Sequence, residues 1–460
     1  MLITAACGKP GEIALDERAK RAKIADKSQE DIVIGVAWKK DGPFLQGVEL
    51  AIKEINNEGG VNGRKIKIII DERISYAKTE REKLKLVYKV ANSFASNLDM
   101  VAVIGHRSSS VAIPASITYE NEGIVFIAPT STNLALTTHN FKFVFRMLPN
   151  NKKMGNQIAN YCHNNGYKKM VVLNDWNAYG EELAFSFIQS AVEKPNNIQI
   201  VFHRSFFPKK TNFLEIMAEL KKKEFDAIFL SNGSADVAGQ IIKQSREMGL
   251  KQPFIGGDTL EYLELLEPSD SLTPEEVKLI KVAAEGTVVP TVFNENFLPL
   301  QKYFDQLLKE NGVEINQIVF NQLKKDATVK LGFTQENLVL LEIFGKYLNK
   351  VQQFIEVFRK EYGNEPHRLA ALGYDSIHML TYAMKKGQST IPIRVATRLR
   401  YMSDPWVGAT GAHFFEEQGD IKNKKFYFKK LGNGKFQLKL EAHKPEIKEM
   451  IKQLKKLSQR

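Results

Sequence analysis

Apolar positions along the chain alternate between two spacings. "DIVIGVAW" (31–38) is a short, nearly continuous apolar run and reads as a strand. "FLQGVELAIKEINN" (44–57) places apolar residues at 44, 45, 48, 51, 52 and 55, one face of a helix, and the glycines of "EGGVNG" (58–63) end it. Strand "RKIKIIID" (64–71), helix "EREKLKLVYKVANSFA" (80–95), strand "MVAVIG" (100–105), helix "SSSVAIPASITYENEG" (108–123) and strand "IVFIAP" (124–129) follow. A second series begins near residue 150. Helix "GNQIANYCHNNG" (155–166) leads to strand "KKMVVLND" (168–175), and helix "EELAFSFIQSAVE" (181–193) to strand "IQIVFHRSF" (198–206). Helix "NFLEIMAELKKK" (212–223) precedes "FDAIFLSNG" (225–233), and helix "VAGQIIKQSREMG" (237–249) precedes "PFIGGD" (253–258).

Repeated strand–helix alternation in two blocks predicts an α/β protein of two doubly wound, mostly parallel lobes. In such sheets ligands bind at the carboxyl ends of the strands, where loops and helix N-termini gather. Ser108, Ser109 and Ser110 stand where a strand ends and a helix begins, and "PTSTN" (129–133) presents Thr130, Ser131 and Thr132 after the next strand. A serine in that position caps the helix by accepting an orphan backbone N–H. The same helix end, with its partial positive charge, also attracts an anionic ligand group. Both readings stand for each hydroxyl, and two adjacent hydroxyl-bearing strand ends suit a carboxylate better than one.

Composition narrows the classes. The chain has 460 residues, 43% hydrophobic and 26% charged, enough for two or three domains with their own cores. No run approaches the ~18–20 apolar residues that cross a bilayer. The net charge is +12, but residues 421–460 alone hold twelve Lys and one Arg against three Glu. No nucleic-acid reading motif accompanies that excess, so no nucleic-acid partner is expected. The tail "KPEIKEMIKQLKKLSQR" (444–460) reads as a solvated basic helix, with proximity to an anionic lipid surface as the alternative.

Catalytic and cofactor signatures are missing. There is no G-x-S-x-G elbow, no G-x-G-x-x-G, no phosphate loop and no H-E-x-x-H. The two cysteines, Cys7 and Cys162, lack metal-ligand spacing, so neither a metal nor a cofactor is expected. "GNGK" (432–435), between "FYFKKL" and "FQLKL", is a hairpin turn. His106 neighbours the serines in sequence, which does not by itself make a catalytic pair.

Several blocks, in order, resemble the periplasmic branched-chain amino-acid-binding proteins of ABC importers. They are "LAIKEINNEGGVNGRKIKIIIDE" (50–72), "IGHRSSSVAIPASITYENEGIVFIAPTSTN" (104–133), "NAYGEE" (177–182), "IIKQSREMGLKQPFIGGD" (241–258), "FRKEYGNEPHRLAALGYDSIHMLTYAM" (358–384) and "GATGAHFFEEQGDIKNKKFYFKKL" (408–431). The resemblance implies the type I periplasmic binding protein fold, two lobes joined by three crossovers and closing like a hinge on a small ligand. Lobe one would hold 32–149 and 289–405, and lobe two 150–288 and 406–445, followed by a basic tail at 446–460. A ligand carboxylate would meet Ser109 and Thr132, with backbone N–H groups near Thr130, and Ser131 is a further ligand-binding candidate. Asp258 would meet the ligand's ammonium and Tyr179 would line the cleft. Trp38, Tyr374 and Asp375 are further candidates, expected at strand ends facing the same crevice. Family members specific for amino acids carry a tyrosine where this chain has Ser234, which puts the ligand's identity in doubt. Residues 294–349 have no counterpart in the family; "FLPLQKYFDQLLKENG" (297–312) and "TQENLVLLEIFGKYLNKVQQF" (334–354) are amphipathic and predict helices that cover a flank or dock a partner.

The resemblance implies a non-enzymatic, extracytoplasmic protein that delivers an amino-acid-like solute to an ABC permease. The alternative is a sensor on the same fold that signals by closure. "MLITAAC" resembles the end of a lipoprotein signal, which implies lipidation at Cys7, a membrane anchor and a true start upstream of Met1; Thr4 departs from the usual leucine, and no basic segment precedes it. Residues 8–31 are polar and charge-balanced, as a tether is.

Overall fold

The computed structural model describes residues 10–77, 79–208, 211–269, 272–296, 298–312, 335–422, 424–442, 444, 447–448, 451–452 and 455. Chain contacts divide into two units, Met1–Asn150 with Lys350–Lys424 and Asn151–Asn349 with Lys425–Arg460. Cys7 and most of the basic tail 446–460 lie outside the described residues.

Unit 1 opens with helix α1 (Pro10–Lys27), where a tether was expected. Its fastening is polar. Arg21, buried, donates to the carbonyls of Ala95, Asn97, Met100 and Glu122, and Arg18 reaches the Glu120 carbonyl and carboxylate. Behind it come β1 (Ile32–Ala37), α2 (Pro43–Asn57), β2 (Ile66–Ile70), α3 (Glu80–Ala95), β3 (Met100–Gly105), α4 (Ser109–Glu122), β4 (Val125–Ala128) and β5 (Val144–Arg146). All five strands are parallel in the order β2-β1-β3-β4-β5. Val87, Val90 and Phe94 of α3 pack with Val111, Ala115 and Tyr119 of α4 against Val103 and Phe126 of the sheet. The strand order reverses between β1 and β3, the point at which a doubly wound sheet leaves a crevice at its carboxyl edge.

Unit 2 repeats the plan. It contains α5 (Asn151–Asn164), β6 (Lys169–Asp175), α6 (Gly180–Val192), β7 (Gln199–Phe206), α7 (Phe213–Leu220), β8 (Ala227–Ser231), α8 (Ala235–Glu247), β9 (Phe254–Gly256), a 3₁₀ stretch (Asp258–Leu265), α9 (Pro274–Ala283), β10 (Val288–Thr291) and α10 (Leu298–Glu310). Strands β6 to β10 are parallel in the order β7-β6-β8-β9-β10, so the reversal here falls between β6 and β8.

Helix α11 (Gln335–Tyr362) leads back into unit 1, followed by α12 (Arg368–Gly387), α13 (Pro392–Arg400) and the hairpin β11 (Trp406–Gly408)–β12 (Gly411–His413). Gly47 and Gly373 let α2 and α12 cross closely, because a Cβ at either would overlap a backbone oxygen of the other helix, Ala370 O or Phe44 O. Strands β13 (Tyr427–Gly432) and β14 (Lys435–Leu438) then extend the second sheet as an antiparallel hairpin. Its turn residues Asn433 and Gly434 have φ of 54° and 74°, both positive as a two-residue hairpin requires.

Two segments group otherwise than the sequence division placed them. Residues 289–349 go with unit 2, because β10 is hydrogen-bonded into the second sheet. Residues 406–424 go with unit 1, because buried Asp375 of α12 accepts the backbone N–H groups of Ala409 and Thr410, both at 2.7 Å. Both helices expected in 294–349 are present as α10 and α11, while residues 313–334 lie outside the described residues. Among the described residues no helix is long and apolar enough to cross a membrane.

Candidate functional site

In unit 1 the hydroxyl-bearing loops leave β3 and β4, which pair directly in the sheet. Ser108 has the extended backbone of a helix N-cap, yet its side chain makes no capping bond to α4; it meets Ser110 Oγ at 3.1 Å instead. The two loops are stitched together. Ser131 Oγ donates to Ser109 Oγ at 3.1 Å, the Asn133 N–H donates to the same oxygen at 3.3 Å, and Thr130 Oγ1 donates to the Arg107 carbonyl at 2.7 Å. Thr132 is 0% exposed, and its hydroxyl has no hydrogen-bond partner among the described residues. A buried hydroxyl left unpaired costs about 1–3 kcal/mol, so this one has capacity for a ligand oxygen.

His106, just past β3, is 1% exposed and lies 2.9 Å from the Tyr119 hydroxyl through Nε2. Burial pushes its imidazole down to about 3, so it is neutral at ordinary pH. Its ring serves Tyr119, and Ser109 Oγ is engaged by Ser131 and Asn133, so the neighbouring serine and histidine do not form a nucleophile–base pair. Trp38 follows β1 and stacks on Phe44 with ring centroids 3.9 Å apart.

In unit 2 the corresponding edge carries the other candidates. Asn177 Oδ1 accepts the N–H groups of Tyr179 and Gly180, both at 2.9 Å, which fixes the start of α6. Buried Tyr179 donates its hydroxyl to Asp258 Oδ1 at 2.8 Å. Burial first, and Asp258 beside it, push the phenol well above its usual value, so Tyr179 remains the donor. Asp258 opens the 3₁₀ stretch after β9 and is itself buried. Ser234 is the N-cap of α8, half-buried and without a side-chain capping bond; its N–H donates to Asn232 Oδ1. Asp175, at the end of β6, accepts from Asn177 and from Gly233 N–H, tying the β6 and β8 loops together.

The sequence candidates thus fall into two groups. Trp38, Ser109, Thr130, Ser131 and Thr132 sit at the carboxyl edge of the first sheet, and Tyr179, Ser234 and Asp258 at that of the second. Tyr374 and Asp375 do not lie at strand ends. Both are inside α12, where Tyr374 donates to Glu54 of α2 at 2.6 Å and Asp375 holds the 409–410 turn. Residues missed in the sequence include Asp175, Asn177 and Asn232, whose polar character at or just past the ends of predicted strands was the available signal. Arg146 was missed too, since a cation within a buried strand carries no pattern of its own. Among the described residues no cluster of His, Cys, Asp and Glu has a metal-binding arrangement.

Two doubly wound units, each presenting polar side chains at its reversal point, are the architecture of a ligand-binding region. The chain belongs to the receptor family ligand binding region, whose family model matches residues 44–432. It is 30% identical over 281 residues to the Leu/Ile/Val-binding protein of Escherichia coli (strain K12), covering 59% of this chain and 71% of that protein. It is 27% identical over 325 residues to Leu/Ile/Val-binding protein homolog 1 of Brucella suis biovar 1 (strain 1330), covering 65% of this chain and 84% of that protein. Among solved structures it is similar to an ABC transporter substrate-binding protein from Desulfitobacterium hafniense in complex with Leu. That match has a TM-score of 0.66 and 27% identity, and covers 89% of this chain and 100% of that one.

Proposed function

We propose that the protein captures a small amino-acid-like solute outside the cytoplasmic membrane and hands it to an ABC importer. The observation that carries this reading is the unpaired, buried hydroxyl of Thr132 beside the Ser109–Ser131 pair, where a carboxylate oxygen completes the hydrogen bonding. The Tyr179–Asp258 pair supplies an acidic acceptor of the kind an ammonium needs. Charge-assisted hydrogen bonds contribute about 1.5–3 kcal/mol each, and a few of them with apolar burial reach the ~8 kcal/mol of micromolar affinity. Similarity to Leu/Ile/Val-binding proteins supports an amino acid as ligand.

The test is a thermal-shift screen of amino acids, their amides and small organic acids. A ligand that binds only the folded state raises stability by about 2.7 kcal/mol at a hundredfold excess over Kd. No shift with any compound bearing both a carboxylate and an amine refutes the reading. The lipid anchor at Cys7 is part of the proposal, and mass spectrometry of protein from native membranes tests it: an unmodified thiol removes it. The family's description as a receptor ligand binding region supports the second reading, a sensor; unchanged ligand uptake in cells lacking the chain favours it over delivery.

A further inference from the structure

The loop that carries Thr130–Thr132 is gripped from within unit 1 by a buried ion pair. Arg146, the last residue of β5 and 0% exposed, donates through Nη1 to the Asn133 carbonyl at 2.8 Å and through Nη2 to Thr137 Oγ1 at 2.6 Å. Its Nη2 also reaches the Leu134 carbonyl at 3.5 Å, and its Nε is paired with Asp420 Oδ1. Asp420 accepts in turn from Thr137 Oγ1 at 3.1 Å and from Asn150 Nδ2 at 2.9 Å. Asn133 is therefore held at both of its peptide groups, its N–H on Ser109 Oγ and its carbonyl on Arg146, and Thr132 is the residue immediately before it. Asn150 is the last residue of its segment of unit 1, and Asp420 lies four residues before the end of the other.

A pair this deeply buried adds little stability, because desolvation of two charges offsets their attraction. What it supplies is direction. A guanidinium is a rigid fork of donors that fixes the groups it touches. We infer that Arg146 and Asp420 are positioning residues: they set the conformation of the 130–137 loop for an anionic ligand group and tie that loop to the chain segments that leave unit 1. The role in ligand selection rests on the function proposed above.

The experiment compares Asp420→Asn, and the gentler isosteric Thr137→Val, with the unaltered protein. Hydrogen exchange of the ligand-free protein reads the positioning directly. Amides of residues 133–137 are expected to exchange at least tenfold faster in Asp420→Asn, with those of β3 and β4 within twofold. Calorimetry with L-leucine and L-leucinamide as probes reads the consequence. The carboxylate ligand is expected to bind at least fivefold more weakly, and its preference over the amide to shrink. Unchanged loop exchange in both variants overturns the inference, as does a lowered melting temperature with the leucine-to-leucinamide ratio intact. Failure of the functional reading shows elsewhere, in an unaltered protein that binds neither probe nor any other amino acid, while the exchange result still decides whether the ion pair orders the loop.

Discussion

Replacing Gly257 by alanine tests the unit 2 site without removing any polar group. The backbone of Gly257 is extended, with φ of −73° and ψ of 176°, so alanine is tolerated there conformationally. Space is the obstacle. A Cβ at this position would overlap the Tyr179 hydroxyl and stand 2.7 Å from Leu183 Cδ2. Tyr179 must therefore withdraw its hydroxyl, and the 2.8 Å bond to Asp258 breaks. A hydrogen bond to a charged group is worth about 1.5–3 kcal/mol, which is about a tenfold to hundredfold loss if the pair acts in binding. The displaced hydroxyl is buried and loses its partner, costing folding about 1–3 kcal/mol, or roughly 2–10 °C for a unit of this size. Isothermal calorimetry with an amino acid and with the matching amine-free acid separates the two effects. The amino acid should weaken by the full factor in both Gly257→Ala and Tyr179→Phe, and the amine-free acid by less than threefold. If Gly257→Ala binds the amino acid as tightly as the unaltered protein, the Tyr179–Asp258 pair is not part of the site.

Three further outcomes follow from the same structure. Thr132→Val removes a buried hydroxyl that has no partner among the described residues, so the melting temperature should hold or rise by a degree or two while affinity for carboxylate ligands falls at least tenfold; a lowered melting temperature with intact affinity contradicts the role given to Thr132. Lys424 is buried against Met147 O, Thr410 and His413, and burial pushes its amine down to about 7 despite the pull of Asp375. Between pH 7 and about 10.5 the unfolded chain then binds more protons than the folded one, so stability rises with pH, by about 2 kcal/mol from pH 7 to 9. Melts across that window should show the rise in the unaltered protein and not in Lys424→Met, and equal slopes would count against a depressed lysine. Arg21→Met strips the cation from four backbone carbonyls; a drop of about 2–3 kcal/mol, or roughly 5–10 °C, with ligand affinity within twofold is expected.

The strands and helices of both sheets were legible because burial on two faces writes continuous apolar runs and burial on one writes a helical stripe. The hydroxyl loops were legible for a related reason, since a strand such as "MVAVI" followed by three serines marks its own carboxyl end. What escaped depends on contacts distant in sequence. Helix α1 has no apolar stripe; Arg18 and Arg21 seat it on carbonyls about a hundred residues away, and a charge-balanced segment reads as a tether until those carbonyls are known. The sequence alone places Tyr374 and Asp375 at strand ends, whereas α12 needs small residues such as Gly373 to cross α2, and that need is set by a partner helix. Residues 406–424 follow Asp375, a buried acid whose N–H partners no local pattern announces.

The way α1 is fastened sets how it can come loose. Its hold is a pair of guanidinium groups plugged into peptide oxygens, and among its described residues no aliphatic or aromatic side chain is fully covered. Peeling it away would uncover peptide carbonyls and arginine heads, both of which water receives readily, together with the half-buried faces of Ala22, Ile24 and Ala25.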